Sequence, residues 1–135
     1  MSGYTLQTKV ARPYAETVEA VRSALGEQGF GVLTEIDLKA TLAAKLGVEV
    51  PEQLILGACR PPLAYQALRA DPSIATVLPC NVVVRALDDR TCVVEAFDPD
   101  VMLGLADAPE LRQVAQDAKE RLVAVLAAVG EEEVR

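Results

Sequence analysis

The chemistry open to this chain starts with three cysteines, Cys59, Cys80 and Cys92, because the sequence contains no histidine. Without imidazole there is no His-based nucleophilic triad and no His acid–base catalysis, and most zinc and haem sites are ruled out. Two of the thiols have unusual neighbours. Cys80 lies in Leu78-Pro79-Cys80-Asn81, at the mouth of the apolar run Val82-Val83-Val84. Cys59 closes the run Ile55-Leu56-Gly57-Ala58 and leads into Arg60-Pro61-Pro62. A cation and a helix N-terminus both favour a thiolate or a bound anion. Pro61 and Pro62, however, remove two of the backbone donors such a site would use. The plainer reading of a free cysteine is a small buried hydrophobe. That reading is adopted for Cys92, between Thr91 and Val93. Near Cys80 no base is evident, and the nearest basic residue in sequence is Arg85.

Carboxylates give a second candidate. Glu35 and Asp37 flank Ile36, and residues two apart share a face of a strand, so a carboxylate pair is geometrically allowed. Asp37 is more simply explained as a helix N-cap, without any function. Asp98 and Asp100, around Pro99, read as turn formers. Gly57 inside an apolar strand marks a bulge or a close approach by a ligand, and a packing role explains it equally well. The glycines from Gly26 to Gly31 have the wrong spacing for a dinucleotide fingerprint and follow a helix rather than a strand. The candidate ligand-binding set is therefore Cys59, Arg60, Cys80, Asn81, Glu35 and Asp37. No metal site and no cofactor is expected.

These residues must be positioned by one domain, since the chain has 135 residues and domains commonly span ~100–200. Its core is expected over about 4–129, with 130–135 as a frayed tail. Hydrophobic residues make up 51% and aromatics only 4%, with no Trp, so the core must be built of Leu, Val, Ile and Ala. Thirteen basic against twenty acidic residues give a formal charge of −7, which argues against a nucleic-acid partner. The cysteines are odd in number and lack a C-x-x-C spacing, so neither a disulfide framework nor a zinc ribbon is indicated. Residues 1–11 carry no signal pattern, and no apolar run approaches the ~20 residues needed to span a bilayer. The expectation is a cytoplasmic, reduced protein with no membrane partner.

Periodicity supplies the elements. Tyr4, Leu6, Thr8 and Val10 alternate as in a half-buried strand. Tyr14, Val18, Val21 and Leu25 follow at helical spacing, with Pro13 in the first turn and Gly26 and Gly29 ending the pattern. Gly31–Ile36 reads as a strand, and Leu38, Leu42 and Leu46 as the inner stripe of a short helix stopped by Gly47. Gln53–Ala58 is a third strand. Pro61–Ala70 is a short helix facing inward through Leu63, Ala67 and Leu68, followed by a turn at Asp71-Pro72-Ser73. Cys80–Leu87 and Thr91–Phe97 form an antiparallel hairpin. Its Cys80, Val82, Val84 and Ala86 share one face, and Asn81, Val83, Arg85 and Leu87 the other, with Arg85 and Glu95 as a cross-strand ion pair. A turn of helix is expected at Val101–Leu105. The longest helix starts at Asp107 or Pro109 and runs to Gly130, with Leu111, Val114, Ala118, Leu122, Val125, Leu126 and Val129 as its stripe. The fold class is α+β: an antiparallel sheet with its long helices on one face, in the order β-α-β(4)-α, with short helices inserted between the middle strands.

The ordered motifs Gly29-Phe30, Glu35-Ile36-Asp37, Leu54–Arg60 with Cys59-Arg60-Pro61, Asp71-Pro72 and Leu78–Val84 resemble the small bacterial and archaeal domain of unknown function numbered 302. The likeness covers about Tyr4 to Val129. It departs at Arg60, where the resemblance leads one to expect asparagine or another small polar residue. It implies a TATA-binding-protein-like fold of one strand, a helix, four strands and a final helix, and it implies no activity.

The expected function is a non-enzymatic module that binds a small, partly apolar ligand or a protein near Cys59 and Cys80, with Arg60 or Asn81 fixing a polar end. The alternatives are a thiol-based enzyme or redox sensor using Cys59 and Cys80, and a purely structural dimeric interaction domain. Val82–Val84 place apolar side chains on both faces of the sheet, and a homodimer is expected to cover the face without helices.

Overall fold

The structure is a computed structural model that describes residues 3–106, 108–130 and 134–135. Its elements are β1 (Thr5–Val10), α1 (Tyr14–Glu27), β2 (Gly31–Asp37), α2 (Leu38–Leu46), β3 (Gln53–Cys59), α3 (Pro61–Ala70), β4 (Cys80–Ala86), β5 (Cys92–Phe97) and α4 (Glu110–Val129). Two 3-10 segments, Pro72–Val77 and Pro99–Gly104, stand where turns were expected. Five strands form one sheet in the order β1-β5-β4-β3-β2, and every pairing is antiparallel. The α+β class and the element order therefore follow the sequence reading.

Period-two alternation sorts the strands onto two faces. Leu6, Val10, Leu54, Leu56, Val82, Val84, Val94 and Ala96 are buried, and they meet Val21 and Leu25 of α1 and Leu122, Val125, Leu126 and Val129 of α4 in one cluster. Cys92 is buried among them and donates to the Arg12 carbonyl at 3.5 Å. Thr17 is the polar member of the α1 stripe that periodicity missed. Its hydroxyl donates to the Pro13 carbonyl at 2.9 Å, which lets it be fully buried. Pro13 is the N-cap of α1 rather than part of its first turn. The helix ends where Gly29 takes φ +83°, and the Phe30 and Gly29 amides return to the Leu25 and Gly26 carbonyls. That paired closure is the Schellman arrangement, and it sends Phe30 into the core.

On the other face, register aligns Ile36, Ile55, Val83, Glu95 and Gln7 in one row. Arg85 Nη1 pairs with Glu95 Oε1 at 3.1 Å, as expected, and the Thr5 hydroxyl donates to Glu95 Oε2 at 2.8 Å. With both charges part-exposed, this pair contributes only ~0–1 kcal/mol.

A second apolar cluster joins Leu63 and Ala67 of α3, Ile74 and Met102 of the 3-10 segments, and Leu111, Val114 and Ala118 of α4. Leu68 is 39% exposed and does not join it, because inward positions of α3 are taken by Leu63 and Ala67.

The two sheet edges differ. Along β1, Gln7 exchanges two backbone hydrogen bonds with Arg135, both 2.9 Å. The end of the chain expected to fray is thus tied to the sheet at Arg135; residues 131–133 of that expected tail, and the helix start at Asp107, lie outside the described residues. Along β2 the outer edge is open, and neither β2 nor α2 contains a buried residue. The stripe Leu38, Leu42 and Leu46 was expected to face inward. Leu38 and Leu42 are only half-buried and Leu46 is exposed, because α2 contacts mainly the edge strand β2 and its neighbour β3, at one side of the sheet.

Candidate ligand-binding cavity

The site is assembled by three interruptions of regular structure. At the first, β3 ends at Cys59 and α3 begins at Pro61, leaving Arg60 as an extended N-cap. Prolines at the first two helical positions have no N–H to offer. The next two amides, of Leu63 and Ala64, both donate to the Arg60 carbonyl at 3.0 Å. The second interruption is at Pro79, after a cis Leu78–Pro79 peptide bond and directly before β4. It fits only because Gly57 lacks a side chain. A Cβ there would lie 2.9 Å from Pro79 Cγ and would collide with Thr34 Oγ1. Opposite Gly57, β2 breaks register between Val32 and Thr34, so the irregularity lies in β2 and not at Gly57 itself, whose role is the close approach of Thr34 and Pro79. The third is the pair of 3-10 segments, each opened by an aspartate cap. Asp71 accepts from the Ser73 amide, and Asp98 from the Asp100 amide, at 3.0 Å each. These caps bring Ile74 and Met102 over the sheet end.

Between the two apolar clusters the packing does not close. A cavity of about 280 Å³ remains. Ala58, Cys59 and Cys80 line it from the sheet, Leu63, Ala64 and Ala67 from α3, and Val114 and Ala118 from α4. Pro99 and Met102 contribute from the second 3-10 segment, and Phe30, Leu33, Leu78, Pro79 and Arg60 complete the wall. The surface is almost wholly apolar, and Arg60 is the one residue with a fixed charge in it.

Three of the six residues singled out in the sequence, Cys59, Arg60 and Cys80, line this cavity. The other three stand apart. Asn81 is exposed opposite Gly57 and is not in the lining. Glu35 pairs with Arg22 at 2.6 Å. Asp37 caps α2 by accepting from the Ala40 amide at 2.9 Å, so it and Glu35 serve separate partners. The sequence reading missed Met102, Leu78 and Phe30 as lining residues. Ala67 and Ala118 were recognised as inward-facing, but nothing in their spacing signals that alanine there leaves space unfilled.

Burial pushes the Cys80 thiol above its ordinary pKa, and the nearby Cys59 adds to that shift. Cys80 is therefore held as a neutral thiol at neutral pH, a weak nucleophile and a poor metal ligand. Arg60 is the electrostatic anomaly. Its Nε is buried with no hydrogen-bond partner, alone in this among the described residues. Its stem crosses Gly29, where a Cβ would stand 3.1 Å from that nitrogen. Among the described residues there is no group of three His, Cys, Asp or Glu side chains able to hold a metal, and no helix is long and apolar enough to cross a membrane.

Comparison with known proteins places this geometry among relatives. The model of a family described as Domain of unknown function DUF302 matches residues 6–129. A crystal structure of an uncharacterized conserved DUF302 protein from Bacillus stearothermophilus matches with a TM-score of 0.85 at 27% identity, covering 95% of this chain and 99% of that one. A search of curated proteins gives no match.

Proposed function

Because the chain belongs to the DUF302 family, whose description assigns no activity, we propose a function from the cavity itself: a non-enzymatic module that binds a small apolar molecule between the sheet, α3 and α4. The observation that carries this reading is the unfilled apolar volume of about 280 Å³ beside a core whose largest side chains are fully buried. The pocket opens to solvent at a rim that includes exposed Leu33, so its apolar wall meets water, and an apolar ligand would remove that surface from water. Benzene tests it. In the reading, benzene shifts the Met102 methyl resonance in wild-type protein, and Ala67→Leu, which fills the space, abolishes that shift while the fold is retained. An unmoved Met102 signal at saturating benzene would remove the cavity as a binding site.

The thiol-based alternative has one observation in its favour, that Cys59 and Cys80 line the same cavity. The upward shift at Cys80 weighs against it, since a nucleophilic or redox-active cysteine needs the thiolate.

The partner in this reading is a second copy of the chain, docked through the β2 edge rather than across the helix-free face of the sheet that the sequence suggested. Exposed Leu33, Ile36, Leu46 and Val48 all fall within β2, α2 and the segment after α2. An open strand edge is satisfied by another strand, and an identical antiparallel β2 supplies it about a twofold axis. Leu33 also lines the cavity, so the same contact would cover its rim. Sedimentation of a monomer at micromolar concentration would remove the dimer and leave the cavity reading standing.

A further inference from the structure

We infer that the cavity selects an aliphatic monocarboxylate, with a chain of roughly eight carbons in the apolar space and its carboxylate on Arg60. This rests on the cavity reading above and adds the chemical class of the ligand.

The argument begins with charge. Arg60 presents a cation whose Nε is buried without a partner among the described residues, and no carboxylate side chain lines the cavity. Arg60 itself is half-buried, but its buried Nε lacks an acceptor, and a ligand carboxylate would supply one. The surrounding backbone limits which anion fits. The start of α3 would ordinarily offer free amides to a phosphate. Here its first two positions are Pro61 and Pro62, and the Leu63 and Ala64 amides are already spent on the Arg60 carbonyl. Only the guanidinium remains. One guanidinium matches one carboxylate, in charge and in its two-toothed geometry. A phosphate dianion would leave a net negative charge against an apolar wall, with no second cation among the lining residues.

Volume fixes the rest. At roughly 30 Å³ for each water-sized group, the cavity of about 280 Å³ holds about nine non-hydrogen atoms. A straight chain of about eight carbons fills it. Because the lining from α3 and α4 is Leu63, Ala64, Ala67, Val114 and Ala118, only apolar contact is available along that chain.

Calorimetric titration of the purified protein with butanoate, hexanoate, octanoate and dodecanoate, and with 1-octanol, tests the inference. Affinity is expected to rise about four-fold for each added methylene as far as octanoate, and to stop rising by dodecanoate. Octanoate is expected to bind roughly ten-fold or more tightly than 1-octanol, the scale of a hydrogen bond to a charged group. Arg60→Gln is expected to erase that preference while 1-octanol binds as before, which also shows that the variant is folded; Arg60→Lys is expected to restore part of it. If 1-octanol equals octanoate in the wild type, the carboxylate assignment fails and the apolar cavity survives. If neither ligand binds, both readings fail. An affinity still climbing at dodecanoate overturns the chain-length limit.

Discussion

One sheet serves two regions of very different packing. Where α1 and the C-terminal half of α4 cover it, large side chains interlock: Leu25, Leu56, Leu122 and Leu126 are all 0–1% exposed. Where α3 and the N-terminal half of α4 cover it, the helices bring Leu63, Ala64, Ala67, Val114 and Ala118 to face Ala58, with alanine at three of those five positions, and about 280 Å³ is left between them. The strands are continuous through both regions, so the difference lies in what the helices bring. Leucines close a layer to interior density, whereas alanines on two helices hold the backbone layers apart only if other elements prop them. The propping elements are the capped 3-10 segments and the proline-started α3. The second half has its own buried cluster around Leu111, Met102 and Ile74, and the unfilled space lies between that cluster and the sheet core.

Paired substitutions test that contrast most strongly. Leu56→Ala in the packed half is expected to cost about 2–5 kcal/mol, since it removes a fully buried leucine and leaves a new hole. Ala67→Leu at the cavity adds the same side chain where space exists, and its stability is expected to stay within about 1 kcal/mol of wild type, although binding is lost. Urea denaturation of both variants measures this. Equal destabilisation by the two would mean that the seam is as tightly packed as the core.

Gly57 sits at the boundary between the regions, and Gly57→Ala is the next largest expected effect. Its Cβ has no room against Thr34 of β2 and Pro79, which directly precedes β4. A loss of about 1–3 kcal/mol is expected, the usual cost of overpacking. Thr34→Ala in the same chain should recover part of it, because the collision with Thr34 Oγ1 disappears. A Gly57→Ala protein as stable as wild type by denaturation would show that the β2 bulge and Pro79 can yield, and that the boundary is soft.

The same contrast explains what could be read from sequence. Alternation in β1, β4 and β5 and the Leu122, Val125, Leu126 and Val129 part of the α4 stripe describe the packed half almost residue for residue, because periods of 2 and 3.6 report directly on a filled core. Period two also separates Cys80 from Asn81, so their joint candidacy for one site conflicted with their own strand, and the structure puts Asn81 on the opposite face. The leucines of α2 show the limit of the method. Their spacing is that of a buried stripe, yet at the side of the sheet, against β2 and β3, Leu38 and Leu42 are only half-buried and Leu46 is exposed. The cavity was legible only at its chemical landmarks, Cys59, Arg60 and Cys80. Empty volume depends on how far apart α3 and α4 stand, and that distance has no periodic signature in the residues that line it.

The smallest expected effect is also the finest probe of the two regions, because each contains a thiol. Cys80 in the cavity and Cys92 in the packed core are both shifted upward, in each case chiefly by burial. By linkage, each contributes stability that is complete below the thiol's unfolded pKa and is lost as pH rises through its higher folded value. Stability should therefore be flat in these groups at neutral pH and decline only above about pH 8.5, the ordinary thiol range. Reactivity should separate what titration cannot. Toward a small uncharged reagent such as methyl methanethiosulfonate, followed by mass spectrometry, Cys80 is expected to react slowly but measurably, with its rate increasing as pH rises past 9. Cys92, with no exposed surface, is expected to react only on unfolding. Octanoate should then protect Cys80 and leave Cys92 unchanged. Equal modification of both thiols in the folded protein would erase the distinction between a packed half and an open one, whereas protection confined to Cys80 would tie the occupied volume to the cavity and to no other part of the fold.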